Sequence, residues 1–176
     1  MKTISLPNDI FIPQIKDLID EGHTATFHVR GFSMRIFVED RRDKVLLGPC
    51  NEKPKVGDVI LAKACLCGAT PDEIISAPHY VLHRIIQIGG NKIILRGDGN
   101  PYQREACIPR QILAEATCVR RGRHLITQGS RQKPDLVTGL KWRIYSRVWI
   151  FLTPVRRWIL AAYRHIWLRL FPIKIE

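Results

Sequence analysis

The sequence predicts a mainly β fold: a compact β domain with a short N-terminal helix and, behind it, C-terminal basic amphipathic helices. Three observations predict it. Short, alternating, β-branched segments recur between turn residues over positions 1–128. An amphipathic stretch precedes them. After them, tryptophan and arginine replace the alternating pattern with a helical one.

Asn8 or Asp9 can cap the first helix, in which Ile10, Phe11, Ile15, Leu18 and Ile19 recur at helical spacing. Pro13 falls in its first turns, Gly22 stops it, and Asp17, Asp20 and Glu21 form a solvated acidic side. Thr24 to Val29 alternates as a strand and delivers Gly31 to Ser33 at its end. Lys44 to Leu47 and Val59 to Ala62 read as strands parted by Pro49 and the Asn51-to-Pro54 stretch. Residues 64–78, with Gly68, Pro71, Asp72 and Pro78, read as a loop. Tyr80 to Ile88 and Lys92 to Leu95 form a hairpin about Gly89-Gly90-Asn91. Alternation puts Val81, His83, Ile85 and Gln87 on one face, and Tyr80, Leu82, Arg84 and Ile86 on the other. Ile112 to Arg120 and His124 to Thr127 close the sheet. Gly129 to Gly139 shows no periodic apolar face and reads as a linker. The body is then 1–128 and the tail 140–176.

Charge follows the same division. Residues 1–118 hold 15 Lys+Arg and 14 Asp+Glu, whereas residues 119–176 hold 13 and 2. The basicity belongs to the tail, which suits an anionic surface. Lys141 to Leu170 holds all four tryptophans, at 142, 149, 158 and 167, and Pro154 divides it into two helices. On a helical wheel Val155, Trp158, Ile159, Ala162, Tyr163, Ile166 and Leu170 share an arc opposite Arg157 and Arg164. A basic helix rich in tryptophan suits a bilayer interface, so an anionic lipid surface is the expected partner of residues 140–170. A helix pair folded onto the body and a nucleic-acid-binding tail are the other readings. The amphipathic phase favours lipid over nucleic acid.

Five cysteines (Cys50, Cys65, Cys67, Cys107 and Cys118) make an odd set without a disulfide framework, which suits a reducing compartment. Cys65-Leu66-Cys67 lacks the spacing and the nearby histidine of a metal loop, so no metal and no cofactor are expected. No apolar leader and no uncharged run of about 18–20 apolar residues is present. A cytoplasmic, peripherally membrane-associated protein is the expectation.

Chemistry concentrates in strings that follow one another: Gly31-Phe32-Ser33-Met34, Gly57-Asp58-Val59-Ile60, His83-Arg84-Ile85 and Gly97-Asp98-Gly99-Asn100. A hydroxyl, an imidazole and a carboxylate are the parts that nucleophilic acyl transfer needs. In this order the strings resemble the superfamily of type I signal peptidases and SOS-repressor peptidases, over roughly residues 24–120. Histidine where many members place lysine resembles the histidine-base, signal-peptidase-like branch.

The resemblance implies a serine-type endopeptidase that cuts a leader or signal-like peptide, bound as an extended strand with small residues near the cut. It implies Ser33 as nucleophile, with its own N–H as an oxyanion donor, and His83 as base. Gly31 and Met34 would flank substrate and oxyanion. The sequence departs from the family at Ile36, where proline is usual, and at Gly31, where serine is frequent. It departs again after the Gly-Asp-x-Asn turn, where Pro101 to Glu105 lacks the usual aspartate. The orienting acid is therefore Asp98, Glu105 or neither. These departures leave a second expectation, a catalytically silent peptidase-like module that binds a peptide or partner at the membrane.

Overall fold

The structure, a computed structural model, describes residues 7–50, 53–120, 135–136 and 139–172. Helix α1 spans Asn8–Asp20. Its N-terminus follows Pro7 without a side-chain cap, so Asn8 lies inside the helix, and Asp9 sits in the first turn, where the helix dipole favours an acid. Ile12, Ile15 and Ile19 form its buried face, while Ile10 and Leu18 are exposed. It ends as expected at Gly22, whose φ of +87° suits glycine. There His23 N–H donates to Leu18 O and Gly22 N–H to Ile19 O, a Schellman closure.

Among the described residues eight strands follow: β1 (Ala25–His28), β2 (Lys44–Gly48), β3 (Val59–Leu66), β4 (His79–Gly89), β5 (Lys92–Arg96), β6 (Glu105–Cys107), β7 (Ile112–Arg120) and β8 (Asp135–Leu136). All pairings are antiparallel, in the order β1-β2-β7-β3-β4-β5-β6, with β8 beside β7. Cys65 of β3 also pairs with Ala106 of β6, which closes β3 to β6 into a small barrel. The molecule is thus mainly β with helices at both ends of the chain. Ile60, Ala62, Ile85, Ile93, Leu95 and Cys107 from the four closed strands form one apolar cluster. A larger one joins α1 to β1, β2 and β7 through Ile12, Ile15, Val45, Leu47 and Ala116.

The expected strands at 24–29, 44–47, 59–62, 80–88, 92–95 and 112–120 all form, with ends shifted by a few residues. The loop read at 64–78 holds the end of β3 and a one-turn helix α2 (Pro71–Ile75). A reciprocal cap between Thr70 and Glu73 starts α2, and its Thr-x-x-Glu text with proline at the first position is a helix-start signal. The strand read at 124–127 lies outside the described residues. Of the linker read at 129–139, residues 135–136 pair with β7.

The tail forms α3 (Leu140–Phe151) and α4 (Arg156–Ala162), parted at Pro154 as the sequence predicts. A π turn over Tyr163–Trp167 and a last turn over Leu168–Leu170 continue α4. Its first helix lies against the body. Trp142, Ser146 and Trp149, spaced to share one helical face, are buried. Phe37 receives both indoles, with ring centroids 5.5 and 5.6 Å away. Trp142 and Trp149 are therefore packing residues and not interface anchors. Trp158 and Trp167 remain exposed. Among the described residues no helix is long and apolar enough to cross a membrane.

Candidate active site

The chain leaves β1 and crosses from Val29 to Asp43 in a loop tied to itself. Gly31 stands at φ +97° and its N–H donates to Asp40 Oδ1 at 2.7 Å. Ser33 is exposed at the loop's outer rim. The next side chain, Met34, is only 1 % exposed and packs in the core. Met34 therefore anchors the loop from below and also lines the cleft that Ser33 faces; its neighbour Phe32 is exposed and carries the Arg35 guanidinium 4.2 Å over its ring. Ile36 stands at φ +83°, which proline, locked near about −65°, cannot adopt. The departure from the family's proline thus coincides with a different backbone at that position.

The turn after β5 supports this loop from the side. Gly99 N–H donates to Ser33 O at 2.7 Å. A Cβ on Gly97 would meet Ser33 O at 2.3 Å and His83 Nε2 at 3.0 Å, and one on Gly99 would meet Phe32 O at 2.3 Å. Both glycines are required because two backbones approach here with no room for a side chain. The Gly-Asp-Gly-Asn string is thus a seat for the Ser33 loop.

His83 comes from β4, buried, with its Nδ1 3.0 Å from Glu105 Oε2. Glu105 is buried at the start of β6, and Gln103 Nε2 donates to its other oxygen at 2.9 Å. Two strands bring the pair together: β5 pairs with β4 on one side and sets Leu95 opposite Glu105 on the other.

Asp98 goes elsewhere. Its Oδ1 accepts from Arg84 Nε at 2.9 Å and its Oδ2 from Arg84 Nη2 at 2.6 Å. It does not orient His83; the physical reason is that the bidentate pair with the buried Arg84 guanidinium engages both oxygens. Of the alternatives open in the sequence, the geometry selects Glu105.

Ser33 and His83 line one cleft of about 430 Å³. Phe11 and Ile12 of α1, Phe27 of β1, and Tyr80 and Leu82 of β4 supply its apolar walls. Asn8, Thr26, His28 and Arg30 make its remaining wall polar, and a concave site of mixed lining suits a ligand with both apolar and hydrogen-bonding groups.

Sequence reading missed the tail's part in this site. Arg84 Nη1 donates to Gly57 O at 2.8 Å and to the Ser146 hydroxyl of α3, and the guanidinium lies 5.1 Å over Phe37. Buried Glu39 accepts from Arg35 Nε at 3.2 Å and from the Tyr163 hydroxyl at 2.8 Å. Burial, and then Glu39 itself, push the Tyr163 phenol up to about 12. The spacing of Trp142, Ser146 and Trp149 held a signal for this contact, but it competed with the wheel of the following helix.

Among the described residues no cluster of His, Cys, Asp and Glu could hold a metal ion, and none of the five cysteines is in a disulfide. Comparison with known proteins finds no matching family model, no matching curated protein and no matching solved structure.

Proposed function

We propose that this chain is a serine endopeptidase with Ser33 as nucleophile, His83 as general base and Glu105 as the carboxylate that orients it. One observation supports the reading above the rest. His83 is held through Nδ1 by a buried carboxylate, while its Nε2 and the Ser33 main chain flank the same side-chain-free point at Gly97. In acylation the Ser33 hydroxyl proton passes to Nε2 as Oγ bonds to the scissile carbonyl carbon. The imidazolium returns that proton to the departing amine as the C–N bond breaks. A water then repeats the exchange and frees the acid product. The Ser33 N–H serves the oxyanion, since Gly31 N–H is engaged by Asp40.

An extended peptide suits the cleft, which runs between β1, an outer strand of the sheet, and the first half of β4. Added as a strand, it would gain main-chain hydrogen bonds beside Ser33. The substrate class is a leader or signal-like segment cut at a membrane surface. Exposed Ile144, Val148, Phe151, Trp158, Ile166 and Leu170 support the lipid part of the reading. No acid lies between Asp135 and Glu176, whereas Lys141, Arg143, Arg147, Arg157, Arg164 and Arg169 do. Each basic residue near an anionic surface adds about 1 kcal/mol. Five cysteines without a disulfide fit the cytoplasmic side.

The test is incubation of wild type, Ser33→Ala and His83→Ala with a fluorophosphonate probe and a diverse peptide library, with anionic vesicles present. New termini read by mass spectrometry in wild type alone are the expected result, with probe adducts on Ser33. Cleavage retained by Ser33→Ala overturns the mechanism. Specific peptide capture without cleavage or adduct, in all three proteins, assigns the chain to a silent binding module.

A further inference from the structure

Three guanidiniums are buried where β4, β5 and the α3–α4 turn meet: Arg84 at 0 % exposure, Arg96 at 2 % and Arg156 at 1 %. Arg84 and Arg96 face one another across the β4–β5 pair. Arg96 Nη2 donates to Thr153 Oγ1 at 2.6 Å, in the turn that leads to Arg156. Arg156 Nη2 donates to Trp149 O at 2.9 Å, and its guanidinium lies 4.8 Å over the Trp149 ring. The counter-charge that acts on Arg96 and Arg156 is Asp98, which gives both oxygens to Arg84.

Among the described residues four buried nitrogens have no partner: Arg96 Nε, Arg156 Nε, Arg156 Nη1 and Trp149 Nε1. Every one is a donor. Orphaned buried donors are costly, and on a cation more so. A water placed among them would find nothing in the set to accept its own protons, whereas an anion only accepts. Burial, then the nearby Arg96, draw the Arg156 pKa down to about 10, which still leaves a cation at neutral pH. Arg96 is drawn down in the same direction, by burial and then by Arg104.

We propose that Arg96, Arg156 and Trp149 bound a site for a small monovalent inorganic anion of the chloride class, at the junction of the β body and the C-terminal helices. The orphaned atoms are sealed from solvent, so the occupant is small and enters before the helices finish docking. Arg96 belongs to the body, and Trp149 and Arg156 to the tail, so one anion ties the two together. The site is separate from Ser33 and His83 and holds whether or not the chain cuts peptides.

Thermal unfolding of the full chain, titrated with sodium chloride against sodium gluconate at matched ionic strength, tests this. Chloride should raise Tm saturably, by roughly 3–6 °C at ten times its apparent Kd. The rise should vanish in Arg156→Met, whose unbranched side chain keeps the apolar stem and removes the guanidinium, and persist in the exposed Arg157→Met. Equal, non-saturating effects of both salts would reduce the observation to screening and overturn the site. Saturable stabilisation by sulfate alone would overturn the monovalent assignment. Should Arg156→Met fail to fold, crystals of wild type grown with sodium bromide decide. An anomalous peak among the four nitrogens supports the site, and its absence with the side chains placed as here overturns it.

Discussion

Asp98 and Glu105, two buried carboxylates seven residues apart, have opposite partners, and single substitutions separate their roles. Glu105→Gln takes the charge from behind His83 and admits the wrong tautomer. We expect kcat to fall by about 10³–10⁴-fold with Tm little changed, read by steady-state cleavage and calorimetry. Asp98→Asn leaves a guanidinium buried against a neutral amide, so the loss is in stability, about 3–5 kcal/mol by urea unfolding. Gly97→Ala places a methyl 2.3 Å from Ser33 O; backbone must move, and activity should be lost even where the variant folds. Ser33 and His83 stand out in the sequence because each sits in a distinctive string, and the structure places both on one cleft. The acid was not, since Asp98 and Glu105 both follow His83 within reach of a turn. Only the β4–β5–β6 pairing decides which carboxylate returns to the imidazole.

At the scale of elements, α3 is apolar on two faces. One face, Trp142, Ser146 and Trp149, is buried on the body; Ile144, Val148 and Phe151 point outward. Substitution should divide accordingly. Trp149→Ala opens a cavity beside Phe37 and should cost about 3–5 kcal/mol in equilibrium unfolding. Trp158→Ala, at a position 65 % exposed, should leave stability unchanged and weaken co-sedimentation with anionic vesicles. The sequence showed the helices and their break at Pro154, because period and proline are local properties. It did not show which apolar face the body covers, because Phe37 and Arg84 supply that answer from distant positions. The long strands were legible for the same local reason. The three-residue β6 and the one-turn α2 are too short to display a period, and only the Thr70–Glu73 cap marked the latter.

For the molecule as a whole, the Tyr163–Glu39 hydrogen bond makes the body–tail contact sensitive to strong alkali. The phenol's pKa is raised in the fold, from 10 to about 12. Its contribution is complete below 10 and is lost as pH climbs through 12, because the folded state then binds a proton that the unfolded chain has released. Wild type should lose stability over that interval more steeply than Tyr163→Phe, compared by urea midpoints at each pH. That same bond joins residues 124 positions apart. At roughly 5–20 residues per second, a ribosome releases Tyr163 about 6–25 s after Glu39. The β-strands through β7 are all synthesised before α3 exists, so a nascent chain can pair its sheet while the Ser33 loop still lacks its far brace. Assembly of this protein therefore has an order written into it: the hydroxyl is made first, and the support that holds its loop follows more than a hundred residues later.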